Sequence, residues 1–247
     1  MKKTNSNIHT LIGINNAIAI LKCSLFSIIN IDLMLNSKAE KNDELQKLIK
    51  NKNVNEIKKN QFFQKYPEGR TQGIGITFSG NIVRQKIPNF TKEKNVCILV
   101  LDQIEDPQNF GQIIRTAECG GVDGIVFPRH HSVSITDTVL QVSQGAFTNM
   151  PLYEVTNLRN EFKKLKDSDF WIVGVENSID AKSWYDIEYS GRIVIVLGSE
   201  GKGIRKMVLE ECDFHATIPM QGEVNSLNVS AAASAILFER IRQLNGK

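Results

Sequence analysis

Cysteine is scarce in this 247-residue chain, and its four copies, Cys23, Cys97, Cys119 and Cys212, form no C-x-x-C pair. That spacing argues against a disulfide framework or a cysteine zinc site and fits a reducing compartment. Histidine is equally sparse. His9, His130, His131 and His215 have no ligand spacing, and the adjacent His130-His131 cannot form the i, i+4 pair of a helical metal site. No metal is expected. Two nucleotide fingerprints are also missing: there is no G-x-x-x-x-G-K-[ST] loop and no G-x-G-x-x-G. A nicotinamide dehydrogenase is thereby left without its glycine signature. Nor is there an uninterrupted apolar span. Asn15, Asn16, Lys22, Asn30 and Asp32 break the stretch from Leu11 to Leu35, and no small-residue cleavage site follows it. The stretch reads as a helix and a strand of a folded domain, and the sequence predicts a cytoplasmic protein with no membrane segment.

What is present is an ordinary globular composition, 41% hydrophobic and 23% charged, in a chain long enough for one large domain or two of common size. The net charge of +3 conceals an asymmetry. Residues 1–95 carry 16 Lys/Arg against 7 Asp/Glu, and residues 96–247 carry 14 against 20. A basic amino-terminal part joined to an acidic remainder suggests a polyanion-binding arm, although a Lys-, Asn- and Ile-rich composition supplies part of the same excess.

Patterning divides the chain into residues 1–80, a polar linker over 81–95 containing Pro88, and residues 96–247. The first part predicts a helix from Gly13 to Leu21, a strand from Ser27 to Leu35, a helix from Glu44 to Asn51 capped by Asp43, and short strands near Val54 and Gln72–Phe78. The last part alternates strands and helices. Apolar strands fall at Val96–Leu101, Ile125–Phe127, Leu152–Val155, Trp171–Val175, Ile193–Leu197 and His215–Ile218. Helices fall at Gln112–Cys119, Thr138–Ala146, Asn157–Leu165, Met207–Glu211 and Ser230–Gln243. Such alternation implies a parallel α/β sheet with ligands at the carboxyl ends of its strands.

Three clusters of chemistry-bearing residues follow predicted strands: Asn109 with Arg115, the Gly198–Gly203 loop with Glu200, and Ser226 with Asn228. Singly, each has a plain structural reading as a helix cap, a solvated helix cation or a turn residue. Together, Asn109-Phe110-Gly111-Gln112-Ile113-Ile114-Arg115, Leu197-Gly198-Ser199-Glu200-Gly201-Lys202-Gly203, and Ile218-Pro219-Met220 through Ser226-Leu227-Asn228-Val229-Ser230 resemble, in order and spacing, the three motifs of the SpoU family. These are the TrmH-like RNA ribose 2′-O-methyltransferases of the SPOUT class. The resemblance covers about residues 96–245. The amino-terminal part is similar to the small L30e-like α/β substrate-binding domain that many members carry, although Thr71-Gln72-Gly73 departs from the usual His-Gln-Gly.

The resemblance implies a SPOUT-type parallel sheet with a carboxyl-terminal trefoil knot, S-adenosylmethionine as cofactor, and an active site formed in a homodimer. It implies cofactor contacts at Leu197, Gly198, Gly201, Ile218, Met220 and Leu227, and catalytic roles for Asn109, Arg115, Glu200, Ser226 and Asn228. Arginine gives up its proton too reluctantly to serve as a base, so Arg115 is expected to stabilise charge on the 2′-oxygen. The first-choice substrate is a guanosine of 23S rRNA. A transfer RNA ribose, or a non-catalytic role in RNA binding or ribosome assembly on the same fold, are the alternatives.

Overall fold

Alternating apolar runs and amphipathic stretches fold into two α/β units. The computed structural model describes residues 7–67, 71–90, 93–177 and 181–246. One unit contains the described residues up to Ile82 together with Thr136–Thr148, and the other contains Val83–Ile135 and those from Asn149 onward.

The first unit runs β1 (Ile8–Ile12), α1 (Ile14–Lys22), β2 (Ser27–Met34), α2 (Asp43–Ile49), β3 (Asn55–Ile57), α3 (Lys59–Lys65) and β4 (Ile74–Ser79). The strand order is β1-β4-β2-β3. Here β4 is antiparallel to both neighbours, and β3 runs parallel to β2. Leu11, Ile20, Ile31, Leu45, Phe62, Ile76 and Phe78 are buried at its centre. The predicted cap of α2 moves by one residue. Asn42 accepts from the Leu45 amide at 2.9 Å, and Asp43 becomes the first helical residue, where its charge suits the helix dipole. The strand β1 and the helix α3 are additions that local patterning did not single out.

The second unit runs β5 (Val83–Arg84), β6 (Val96–Asp102), α4 (Pro107–Cys119) and β7 (Gly124–Pro128). After α5 (Asp137–Val142), which belongs to the first unit, come β8 (Leu152–Val155), α6 (Leu158–Lys166), β9 (Trp171–Val175), β10 (Lys182–Ser183) and β11 (Arg192–Gly198). The unit closes with α7 (Lys206–Leu209), β12 (Phe214–Thr217) and α8 (Val229–Asn245). Eight strands lie in the order β10-β12-β9-β11-β6-β7-β8-β5, and every pairing is parallel. The continuous apolar runs of β6 and β11 occupy the middle of the sheet, as strands buried on both faces must. One face packs Val96, Ile98, Val100, Val194 and Val196 against Leu158, Phe162 and Val208. Elsewhere in the unit α4 packs along α8, with Ile113, Ile114, Ala117, Ala233, Ile236 and Leu237 buried.

Three expectations change here. The stretch read as linker, 81–95, contains β5, whose Val83 pairs with Leu152. The helix expected over Thr138–Ala146 is shorter, ends at Val142, and packs with the first unit. The turn expected at Asp106–Gly111 is the first turn of α4: Asp106 accepts from the Gln108 amide at 2.9 Å, and Pro107 takes the first helical position. Asn109 is therefore not the cap, and its amide is free to bond elsewhere.

Candidate functional site

The carboxyl ends of β9, β11 and β6 are level with one another, since Leu197 pairs with Val175 and Gly198 with Asp102. Above them opens a cavity of about 390 Å³, lined by Val175 at the end of β9 and by Glu176 and Asn177 just after it, from the glycine loop by residues 197–203, and from the chain around α8 by residues such as Ile218, Leu227 and Ala232. The loop is a closed turn. Ser199 and Gly203 exchange main-chain hydrogen bonds of 3.1 and 2.9 Å. Gly201 and Gly203 sit at φ 81° and 67°, a region that costs side-chain-bearing residues strain. A Cβ on Gly198 would fall 2.0 Å from the Gly203 carbonyl carbon, so nothing larger fits where the loop recrosses its own start. Across the cavity Asn177 accepts from the Thr217 hydroxyl at 3.2 Å and donates to the Asn225 carbonyl at 2.9 Å, tying the 218–228 segment to the sheet.

Beside this cavity three side chains from separate elements converge. Asn228 is the cap of α8, its Oδ1 accepting from the Ser230 amide at 2.9 Å. Its Nδ2 donates to Asn109 Oδ1 at 2.9 Å and to Glu200 Oε1 at 2.5 Å. Asn109 Nδ2 also donates to Glu200 Oε1, at 3.1 Å. The Ser230 hydroxyl extends the network to Gln112 Oε1 at 2.9 Å. A second cavity of about 210 Å³ adjoins, lined by Gln103, Asp106, Asn109, Ser199, Glu200 and Lys202 among others. Glu200 lines both cavities and lies at the boundary between them.

The residues singled out in the sequence are distributed as follows. Leu197, Gly198, Gly201, Ile218, Met220, Ser226 and Leu227 line the first cavity. Asn109 lines the second. Asn228 and Glu200 complete the hydrogen-bonded cluster with it. Arg115 is exposed on α4, lines neither cavity, and makes no hydrogen bond or ion pair among the described residues. Among the residues missed were Glu176 and Asn177, Gln112, and Ser230. The polar break directly after Trp171-Ile172-Val173-Gly174-Val175 was the available signal for the first two.

The residues present suit a nucleoside-bearing cofactor. The larger cavity falls in the size range of small-molecule sites and mixes apolar side chains with main-chain polar groups. The Ser199 hydroxyl, buried at its wall, has no partner among the described residues. No cluster of three or more metal-ligating side chains occurs among the described residues.

Comparison with known proteins now separates the chemistry that this geometry allows. A protein of Staphylococcus saprophyticus assigned to the TrmH family of tRNA/rRNA methyltransferases is 44% identical over 170 residues, which are 68% of this chain and 66% of that protein, just under two thirds of its length. A similarly assigned protein of Staphylococcus aureus strain COL is 37% identical over 216 residues, 81% of this chain and 87% of that one. Among solved structures, the SpoU methyltransferase AviRb from Streptomyces viridochromogenes, determined in complex with AdoMet, shares the fold. Its TM-score is 0.82 at 18% identity, covering 99% of this chain and 93% of that one. The family model described as SpoU rRNA Methylase matches residues 96–238, the whole span that carries both cavities and the Asn109–Glu200–Asn228 cluster; the chain belongs to the SpoU rRNA methylase family.

Proposed function

We propose that this protein transfers a methyl group from S-adenosylmethionine to a ribose 2′-hydroxyl of RNA, with a guanosine of 23S rRNA as first choice and a transfer RNA ribose as the alternative. The observation that carries the reading is the Asn109–Glu200–Asn228 cluster, hydrogen-bonded across three elements at the boundary between two cavities. The AdoMet complex of AviRb and the family assignment support the cofactor. When bound, S-adenosylmethionine supplies an activated methyl on a sulfonium, so the protein is left to position two substrates and to ease charge onto the acceptor oxygen.

Leu197, Gly198, Gly201, Ile218, Met220 and Leu227 would hold the cofactor in the larger cavity, with main-chain groups of the glycine loop exposed where side chains would obstruct. Asn109 and Glu200 would orient the acceptor ribose from the smaller cavity, Asn228 would hold both of them in place through its amide, and Ser226 would act from the lining of the larger cavity. Arg115 would stabilise the developing alkoxide. Its place on α4, apart from both cavities of its own chain, supports a homodimer in which the site is completed by a second copy. Phe238, 51% exposed on the neighbouring α8, offers apolar surface for that contact. The reading includes the carboxyl-terminal trefoil knot of the class, an L30e-like role for the first unit in holding RNA, and a cytoplasmic protein. No helix among the described residues is long and apolar enough to cross a membrane.

The test has two arms. Calorimetry should show S-adenosylmethionine binding and no heat with NAD or ATP. Ribose-methylation mapping of ribosomal and transfer RNA from a deletion strain should show one position that loses its methyl and regains it on incubation with the pure protein. Absence of cofactor heat, with RNA both present and absent, would sink the reading. Cofactor and RNA binding without methyl transfer would leave the non-catalytic alternative in its place.

A further inference from the structure

Asp102 has no exposed surface, yet it carries a carboxylate at the end of a central strand. Burying a carboxylate is costly unless its oxygens are filled, and here one residue fills them. Arg205 donates its main-chain amide to Asp102 Oδ2 at 2.9 Å. Its guanidinium Nε lies 2.9 Å from Oδ1 and 3.2 Å from Oδ2, and Nη2 lies 2.7 Å from Oδ1. The position of this pair in the chain matters. Asp102 is in register with Gly198, the residue at which β11 gives way to the glycine loop, and Arg205 is the residue at which that loop ends. Both ends of the eight-residue excursion are thus fastened beside the same carboxylate. At its tip is Glu200, whose Oε1 receives Asn109 and Asn228.

We infer that Asp102 and Arg205 are a positioning pair: the buried carboxylate holds the 198–205 loop closed and sets Glu200 at the distance where it meets Asn109 and Asn228. The inference rests on the methyltransferase reading above and adds a role for two residues that line neither cavity. Ile204 also holds the loop down, packing in the apolar core at 5% exposure. An apolar contact holds the loop down without fixing its direction, because it has no preferred orientation. The planar guanidinium against a carboxylate does fix direction, and a lysine ammonium reproduces the charge but not the fork. A sub-ångström shift of Glu200 would be read by two hydrogen bonds at once, and misplacement by about 1 Å is enough to cost on the order of 100-fold in rate.

The experiment uses the full chain and substrate RNA, and compares single-turnover methylation, S-adenosylmethionine affinity and melting temperature across variants. Arg205 is the primary site, because its side chain is 39% exposed and its replacement leaves no hole in the core. In Arg205→Gln, assayed at a temperature where the variant is fully folded, the methylation rate is expected to fall on the order of 100-fold, cofactor affinity to weaken by a smaller factor, and melting to drop because the buried Asp102 carboxylate loses its guanidinium partner. Arg205→Lys should recover part of the lost rate. Ile204→Val supplies the contrast: a lower melting temperature with an unchanged rate. Asp102→Asn should reproduce Arg205→Gln if it folds, and Arg205→Gln decides the matter if it does not. Wild-type rate and cofactor affinity in Arg205→Gln would overturn the positioning role and leave the methyltransferase reading standing. Failure of the unaltered protein to bind the cofactor would overturn both.

Discussion

Asp32 shows how one residue ties acid sensitivity to the first unit. Its carboxyl is 2% exposed on β2, where Lys65 Nζ lies 2.6 Å from Oδ2, the Tyr66 hydroxyl donates to the same oxygen at 2.6 Å, and Asn55 Nδ2 donates to Oδ1 at 3.2 Å. Burial pushes its pKa up, but the hydrogen bonds from Lys65, Tyr66, Asn30 and Asn55 together outweigh burial and hold it below the ordinary 3.8. A carboxyl with a lowered folded pKa contributes stability that is fully present above its unfolded value and is lost as pH falls through the folded one. Melting of the wild type should therefore decline as pH drops from about 5 to about 3, as expected for titration of a paired carboxylate. Asp32→Asn should lower the melting temperature near neutral pH and flatten that decline. Equal slopes in the two proteins would remove Asp32 from the account. The same carboxylate adds to burial in raising the Tyr66 hydroxyl far above its usual range, so Tyr66 remains a donor throughout this window. Gly75 is part of the arrangement: a Cβ there would lie 2.3 Å from the Tyr66 ring.

At the scale of elements, α5 is the piece whose allegiance runs against its place in the chain. Its Asp137 carboxylate accepts from the Thr10 amide at 3.2 Å and meets His9 Nδ1 at 2.7 Å. One turn on, Gln141 accepts from the Ile12 amide and donates to the Ile12 carbonyl, both at 2.9 Å. Two side chains at i, i+4 thus occupy the open edge of β1, which would otherwise present unpaired main-chain groups. Val139, Leu140 and Phe147 from the same segment are buried. A chain beginning at Val83 loses β1 and uncovers those three side chains, each worth roughly 1.5–3 kcal/mol of burial. That truncated protein should bind a hydrophobic dye and associate, whereas also replacing 136–148 by a short Gly/Ser bridge should restore a monodisperse protein that keeps cofactor binding. A dye-silent chain from Val83 would show that the segment needs no cover. This allegiance was not legible in the sequence, because Thr138–Ala146 gives a helical pattern but no address for its apolar face. The strands β6, β7, β9 and β11 were legible because continuous apolar runs have few other fates. By contrast β5 and β10 are two-residue edges defined only by distant partners, Leu152 for Val83 and Ala216 for Lys182. In the site, Glu200 and Asn228 stood out only through the joint order and spacing of the three motifs, since each alone reads as a turn or cap residue, while Gln112 and Ser230 depended on the approach of α4 to α8, which no local pattern reports.

At the scale of the whole molecule the open matter is whether one chain makes a complete site. Asn109 and Arg115 share α4, but six residues along a helix place them about 9 Å apart along the axis and on different faces. Asn109 turns into the cluster at 6% exposure, and Arg115 is exposed. If Arg115 acts at the site of a second copy, the two inactive variants Arg115→Ala and Asn228→Ala should complement each other. In a mixed dimer, the intact Asn228 of the first variant faces the intact Arg115 of the second, which rebuilds one of two sites, and the other site carries both changes. Random association of equal amounts makes half the dimers mixed, so the mixture should regain about a quarter of wild-type methylation in a closed two-fold assembly. Each variant alone should remain inactive while binding S-adenosylmethionine through the glycine loop. A mixture as inactive as its parts, under conditions where subunit exchange is verified by a mass-tagged copy, would place Arg115 in the service of its own chain. Wild-type turnover in Arg115→Ala alone would instead end its assignment to the chemistry altogether.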